Sequence, residues 1–141
     1  MKLILLLTIF SLSAHHIFCY ANEFLKTYSL SQGQMAGEVS NHSAILQTRL
    51  TSSNPHYDKT WSGIPGISGW ACFQVSTDKD FKSSFYTPWI QAIPEYDFII
   101  KTKIKDLMPG KRYYYRVIFG PSPNYTTKGL TSSFRTHGGN P

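Results

Sequence analysis

From Gly37 to Thr136 the chain repeats one pattern, in which short runs of alternating apolar and polar side chains are separated by clusters of Gly, Pro, Asn, Asp and Ser. Alternation of this kind is what a half-buried strand requires, because successive side chains leave a strand on opposite faces. The clearest run is Phe98 to Lys105: Phe98, Ile100, Thr102 and Ile104 share one face, and Ile99, Lys101, Lys103 and Lys105 the other. From Arg112 onward, Tyr113, Tyr115, Val117 and Phe119 form the predicted core face, with Tyr114, Arg116 and Ile118 opposite. Ser43 to Leu50 offers Ala44, Leu46, Thr48 and Leu50 as its inward set, and Trp70 to Thr77 turns Phe73 and Val75 inward. Gly37 to Asn41, Phe85 to Ile90 and Gly129 to Thr136 bring the predicted strands to seven. Pro88 marks the Phe85 run as an edge strand, since it has no N–H to give a ladder. Asn22 to Gln34, with Phe24, Leu25, Tyr28 and Leu30, fits a short helix or an extended lead-in equally.

The turns carry more specific information. In Leu107-Met-Pro-Gly-Lys-Arg-Tyr-Tyr-Tyr, Pro109 pre-sets the first central dihedral of a turn and Gly110 tolerates the second. A tyrosine just past such a turn has the arrangement of a tyrosine corner, whose phenol bonds back to the backbone it has just left. The stretch resembles the E–F corner of fibronectin type III domains. That resemblance makes Tyr113 the corner residue, with Tyr115 beside it on the core face, and places Leu107 at the bottom of a two-sheet core. Asp78-Lys-Asp80 reads as a turn whose carboxylates bond backbone amides. Residues 51–69, rich in Gly and Pro, form a connection far longer than a compact sandwich needs, and loops of that length are commonly functional.

Composition then bounds the class. Met1-Lys2 followed by an apolar run from Leu3 to Leu12 is too short for a membrane-spanning helix and has the form of a secretory signal peptide. Cys19-Tyr20-Ala21 supplies the small-residue cleavage pattern, so residues 1–21 are expected to leave. A lipid anchor on Cys19 is the alternative. The expected product is secreted or periplasmic, has no membrane span after signal removal, and keeps Cys72 alone, so it has no internal disulfide. The formal net charge of +6 is mild and contains no arginine-rich run, which does not point to nucleic acid.

Candidate chemistry is sparse. His42, His56 and His137 fall on separate loops or strand ends, and no His-x-His, Asp-x-His or Cys-x-x-Cys pair occurs. Cys72 lies mid-strand with no His in sequence reach, which makes it a structural thiol rather than a nucleophile. Asp78 and Asp80 lack the further ligands of a calcium loop. Lys101, Lys103 and Lys105 form a stripe that suits phosphate or an acidic polymer, or simply protects a strand edge. Trp61, Trp70 and Trp89 suit sugar stacking or packing. Asn41-His-Ser and Asn124-Tyr-Thr are glycosylation sequons in a eukaryotic setting.

Four blocks in order are narrower than a generic sandwich: Gly37 to Leu50, Val75-Ser-Thr-Asp-Lys-Asp-Phe81, Leu107 to Gly120, and Ser133-Phe-Arg-Thr136. Together they resemble the N-terminal domain of secreted alkaline phosphatase D (PhoD-like) enzymes, with Gln47 where many members carry Trp. The resemblance implies an all-β, fibronectin type III or immunoglobulin-like sandwich over 37–136. A signal peptide (1–21) and lead-in (22–36) precede it, and a linker (137–141) follows. It implies a non-catalytic domain, with no cofactor in this chain, whose partner is a C-terminal metallophosphoesterase domain that would hold the metal ions. None of that family's catalytic or metal-binding residues carries onto a position here. The alternative is a free-standing secreted module that binds carbohydrate or a cell surface.

Overall fold

The structure, a computed structural model, describes residues 25, 27–53 and 63–139. Within them the strands are β1 (Tyr28–Ser29), β2 (Gln34–Gly37), β3 (Ala44–Arg49), β4 (Thr51–Ser52), β5 (Gly69–Ser76), β6 (Phe85–Tyr86), β7 (Ile90–Ala92), β8 (Ile99–Ile104), β9 (Arg112–Ser122), β10 (Tyr125–Lys128) and β11 (Ser132–Arg135), with a 3-10 turn at Pro94–Tyr96. They build two facing sheets. One is β2-β3-β8; the other is centred on β5 and β9, with β6 and β7 along the free side of β5 and with β10 and β11 along that of β9. All pairings are antiparallel. A small β1-β4 ribbon closes one end.

The core lies where the period-two pattern puts it. Ala44, Leu46 and Leu50 from the β3 run, Ile100 and Ile104 from β8, Phe73 and Val75 from β5, and Tyr113, Tyr115, Val117 and Phe119 from β9 form one buried cluster. Phe73, Leu46, Leu50, Ile100, Val75 and Val117 are among its largest fully buried side chains. Each such residue contributes about 1.5–3 kcal/mol relative to an exposed position. Phe134 from β11 stacks on Tyr113 at 5.6 Å and meets Tyr115 at 5.9 Å, fastening the last strand to the aromatic end of the core.

Four expectations are corrected. The first core strand is Gln34–Gly37 rather than 37–41. Glu38 takes a positive φ of 45°, and Ser40 closes a tight turn by accepting the amides of His42 and Ser43 on its hydroxyl. The sheet therefore includes residues assigned to the lead-in. The Phe85–Ile90 strand is broken into β6 and β7 at Thr87-Pro88: the Thr87 amide still donates to the Phe73 carbonyl, but the Phe73 amide donates to Thr87 Oγ1 at 2.9 Å and Pro88 has no N–H to give.

The last strand is shorter than expected, Ser132–Arg135 rather than 129–136, and an additional strand, β10, precedes it and pairs with the far end of β9 where no strand was expected. Between β10 and β11 the Gly129 amide still donates to the Val117 carbonyl at 2.8 Å, and Leu130 is 88% exposed. The 51–69 connection also carries structure at its described ends. Thr51–Ser52 pairs with Tyr28–Ser29, Ser52 donates to the Pro65 carbonyl, and a Cβ on Gly66 would run into the Phe98 ring. Residues 54–62 lie outside the described residues.

Candidate functional surface

The sequence motif at 107–113 builds the end of the sandwich from which the chain leaves. Leu107 and Tyr113 are buried, Pro109 is exposed, and Gly110 has a φ of +64°, the left-handed conformation that favours glycine at this turn. The Met108 amide donates to the Tyr113 phenol at 2.9 Å. Thr136 Oγ1 donates to the Met108 carbonyl at 2.7 Å and accepts the Lys111 amide at 2.9 Å. The Gly110 amide donates to the carbonyl of His137, whose own amide donates to Ser40. His42 joins the same end through its backbone, which accepts from the Leu107 amide, and through Nδ1, 2.9 Å from the Leu107 carbonyl. The corner, the β2–β3 turn and the exit segment thus form one hydrogen-bonded clamp. His42 and His137, placed on separate loops by the sequence, both serve it.

Lys101 and Lys103 project from the solvent face of β8, opposite Gln47 and Ile45 of β3, and Lys105 follows just past the strand end; all three are exposed. Because β8 is an outer strand of its sheet, this is where lysines protect an edge. Arg49, by contrast, is tied to Asp97 in a 2.8 Å ion pair. A groove of about 550 Å³ lies between the β1 segment and β9-β10, lined by Leu25, Tyr28, Leu30, Phe119, Lys128 and Leu130 among others.

No catalytic constellation is assembled by the described residues. Among them, no three His, Cys, Asp or Glu side chains gather to hold a metal ion. Cys72 is a free, buried thiol whose pKa is pushed up to about 11 by burial, so its nucleophilic thiolate is scarce at neutral pH. Asp78 caps its turn, accepting the amides of Asp80 at 3.0 Å and Lys82 at 3.3 Å. Trp70 and Trp89 are half-buried; Trp61 and His56 lie outside the described residues.

Three contributors went unmarked in the sequence. Gln34 spans the sheets: its Oε1 accepts the Val117 amide at 3.2 Å, and its Nε2 donates to the Leu130 carbonyl at 2.8 Å and to Ser132 Oγ at 3.0 Å, filling the gap between β10 and β11. Phe81, buried at a φ of +57°, has Arg116 stacked over its ring at 4.1 Å, and Arg116 in turn bonds Gln74 at 2.8 Å. Thr136 makes the clamp contacts above. A polar residue opening a short outer strand, an aromatic inside an Asp-rich turn and a threonine after the last strand give no periodic signal by themselves.

Comparison with known proteins accords with this architecture. The family model described as PhoD-like phosphatase, N-terminal domain, matches residues 19–137. No curated protein matches the chain. Among solved structures it is similar to PhoD, with TM-score 0.63 and 21% identity, covering 80% of this chain and 20% of that one. It therefore spans about a fifth of PhoD's length. The sensor domain of the anti-sigma factor RsgI4 from Pseudobacteroides cellulosolvens gives TM-score 0.51 at 18% identity, over 73% of this chain and 89% of that one. A fibronectin type III domain from human KIAA0970 protein gives 0.51 at 15%, over 84% and 79%. These likenesses establish a fibronectin-type-III-like fold. With the family model matching most of its length, the chain belongs to the PhoD-like phosphatase N-terminal domain family.

Proposed function

We propose that this chain is the non-catalytic N-terminal sandwich of a secreted PhoD-like alkaline phosphatase or phosphodiesterase. Its metallophosphoesterase domain, with any metal ions, lies outside these 141 residues. The observation that carries the reading is the family match, which covers a domain named as N-terminal and ends at residue 137. The clamp on Thr136 and His137 supports it, because a rigid exit fixes the direction in which a following domain leaves. Export directed by residues 1–21 belongs to the same reading; mass spectrometry of the exported protein should find a mature start near Asn22. The reading frame beyond codon 141 tests the domain assignment directly. A metallophosphoesterase-coding frame supports it, and unrelated sequence overturns it.

A second reading, a free-standing binding module, draws on the apolar groove beside Phe119 and Leu130. Pockets of this size and lining suit small ligands. A glycan-binding screen on the isolated chain separates the two, since the second reading needs a ligand for this domain alone.

A further inference from the structure

On the outer face of the clamped end, two arginines stand side by side with no acidic partner among the described residues. Arg112 of β9 and Arg135 of β11 are register partners, so their Cβ atoms are about 4.5–5.5 Å apart. Their strand neighbours Tyr113 and Phe134 are buried, whereas both arginines are exposed, so the two guanidiniums share the solvent face. Like charges directly opposite each other weaken a ladder. Neither arginine is paired with a carboxylate among the described residues, where the salt bridge is Arg49–Asp97.

Each guanidinium is nevertheless held in place. Arg135 Nε donates to the Gly110 carbonyl at 3.0 Å, and Arg112 Nη1 donates to Ser133 Oγ at 3.2 Å. One N–H of each fork is engaged within the protein, which leaves the other donors of both forks for a ligand. Lys111, next in the chain and also exposed, adds positive charge, and the formal net charge of +6 favours encounter with an anion.

We propose that Arg112 and Arg135 form a binding site for a phosphoryl group. Two adjacent forks present more donors than the two oxygens of one carboxylate use well, whereas a tetrahedral phosphoryl group offers three oxygens to both. The lysines of β8 differ in kind, since each is a point charge on a flexible stem, and the site stands whether or not the chain precedes a catalytic domain.

The test is a titration of the 15N-labelled chain with tripolyphosphate at low salt, with citrate as the carboxylate control. Saturable shifts centred on the amides of Gly110, Arg112, Ser133 and Arg135 are expected. Arg112→Gln and Arg135→Gln should each weaken binding about tenfold, as loss of a charge-assisted fork does. Arg112→Lys, which keeps the charge but not the fork, should fall between, and Lys101→Gln with Lys103→Gln should change affinity less than about twofold, as expected of exposed, screened charges. Thermal melts establish that each variant is folded, and Arg112→Gln carries the test if Arg135→Gln is not. Absence of saturable binding, equal binding of citrate, or equal sensitivity to the Lys101 and Lys103 changes would overturn the assignment.

Discussion

The phenol of Tyr113 accepts the backbone amide of Met108 at 2.9 Å, across the same turn whose carbonyl at Met108 receives Thr136. One buried side chain thereby stabilises the corner that anchors the chain's exit. Tyr113→Phe removes the acceptor and leaves a backbone amide without its partner, which should cost about 1–3 kcal/mol. Tyr114→Phe, on the opposite face and only half-buried, should be close to neutral. Urea melts of the two variants check this, and equal effects would refute the assigned roles.

Gln34 should matter more than its place at the start of an outer strand implies. Gln34→Leu keeps the bulk but strands the Val117 amide and the Leu130 carbonyl. The expected loss is about 1–3 kcal/mol, with faster hydrogen exchange at Val117 as its local signature.

Phe81 offers a test of packing against backbone strain. Phe81→Ala removes a ring that is only 8% exposed and should cost about 3 kcal/mol, at the low end for a buried phenylalanine. Its φ of +57° penalises any side chain with a Cβ, so Phe81→Gly should be the more stable of the two variants by about 1 kcal/mol, reversing the usual order. Thermal melts of the pair decide it.

Burial raises the Cys72 pKa from its ordinary value of 9.0 to about 11. The unfolded chain therefore loses the thiol proton first, so the stabilisation from keeping Cys72 neutral is complete below pH 9.0 and disappears as pH rises to about 11. Wild-type stability should fall more steeply across that window than that of Cys72→Ala. A thiol reagent at neutral pH should react slowly with the native chain and rapidly in urea.

The strands β3 and β8 and the first half of β9 were legible because each buries one face and alternates cleanly, whereas Ile118, placed opposite the core face, is also buried; Leu107, Pro109, Gly110 and Tyr113 were legible because corner chemistry fixes residue types at fixed spacing. β5 was only half legible. Cys72, Gln74 and Ser76 are buried as well as Phe73 and Val75, so polarity does not mark its two faces; Gln74 and Ser76 reach Ser84 and Ser83 in the loop that follows. The gap between β10 and β11 was hidden because Gln34, far away in sequence, bonds Leu130 and Ser132 there. The Arg112–Arg135 pair was hidden for another reason. Its existence depends on β11 continuing the β9–β10 hairpin along β9, and no strand was expected at β10.

The proposal that this domain is non-catalytic is tested most directly by measuring hydrolysis of phosphomonoesters and phosphodiesters by the purified 141-residue chain with calcium, iron or zinc supplied. Such turnover requires metal ligands converging on the scissile bond. The predicted result is no hydrolysis above a buffer blank containing the same metals. Metal-dependent turnover that co-purifies with the folded chain and survives removal of contaminating phosphatase would contradict it.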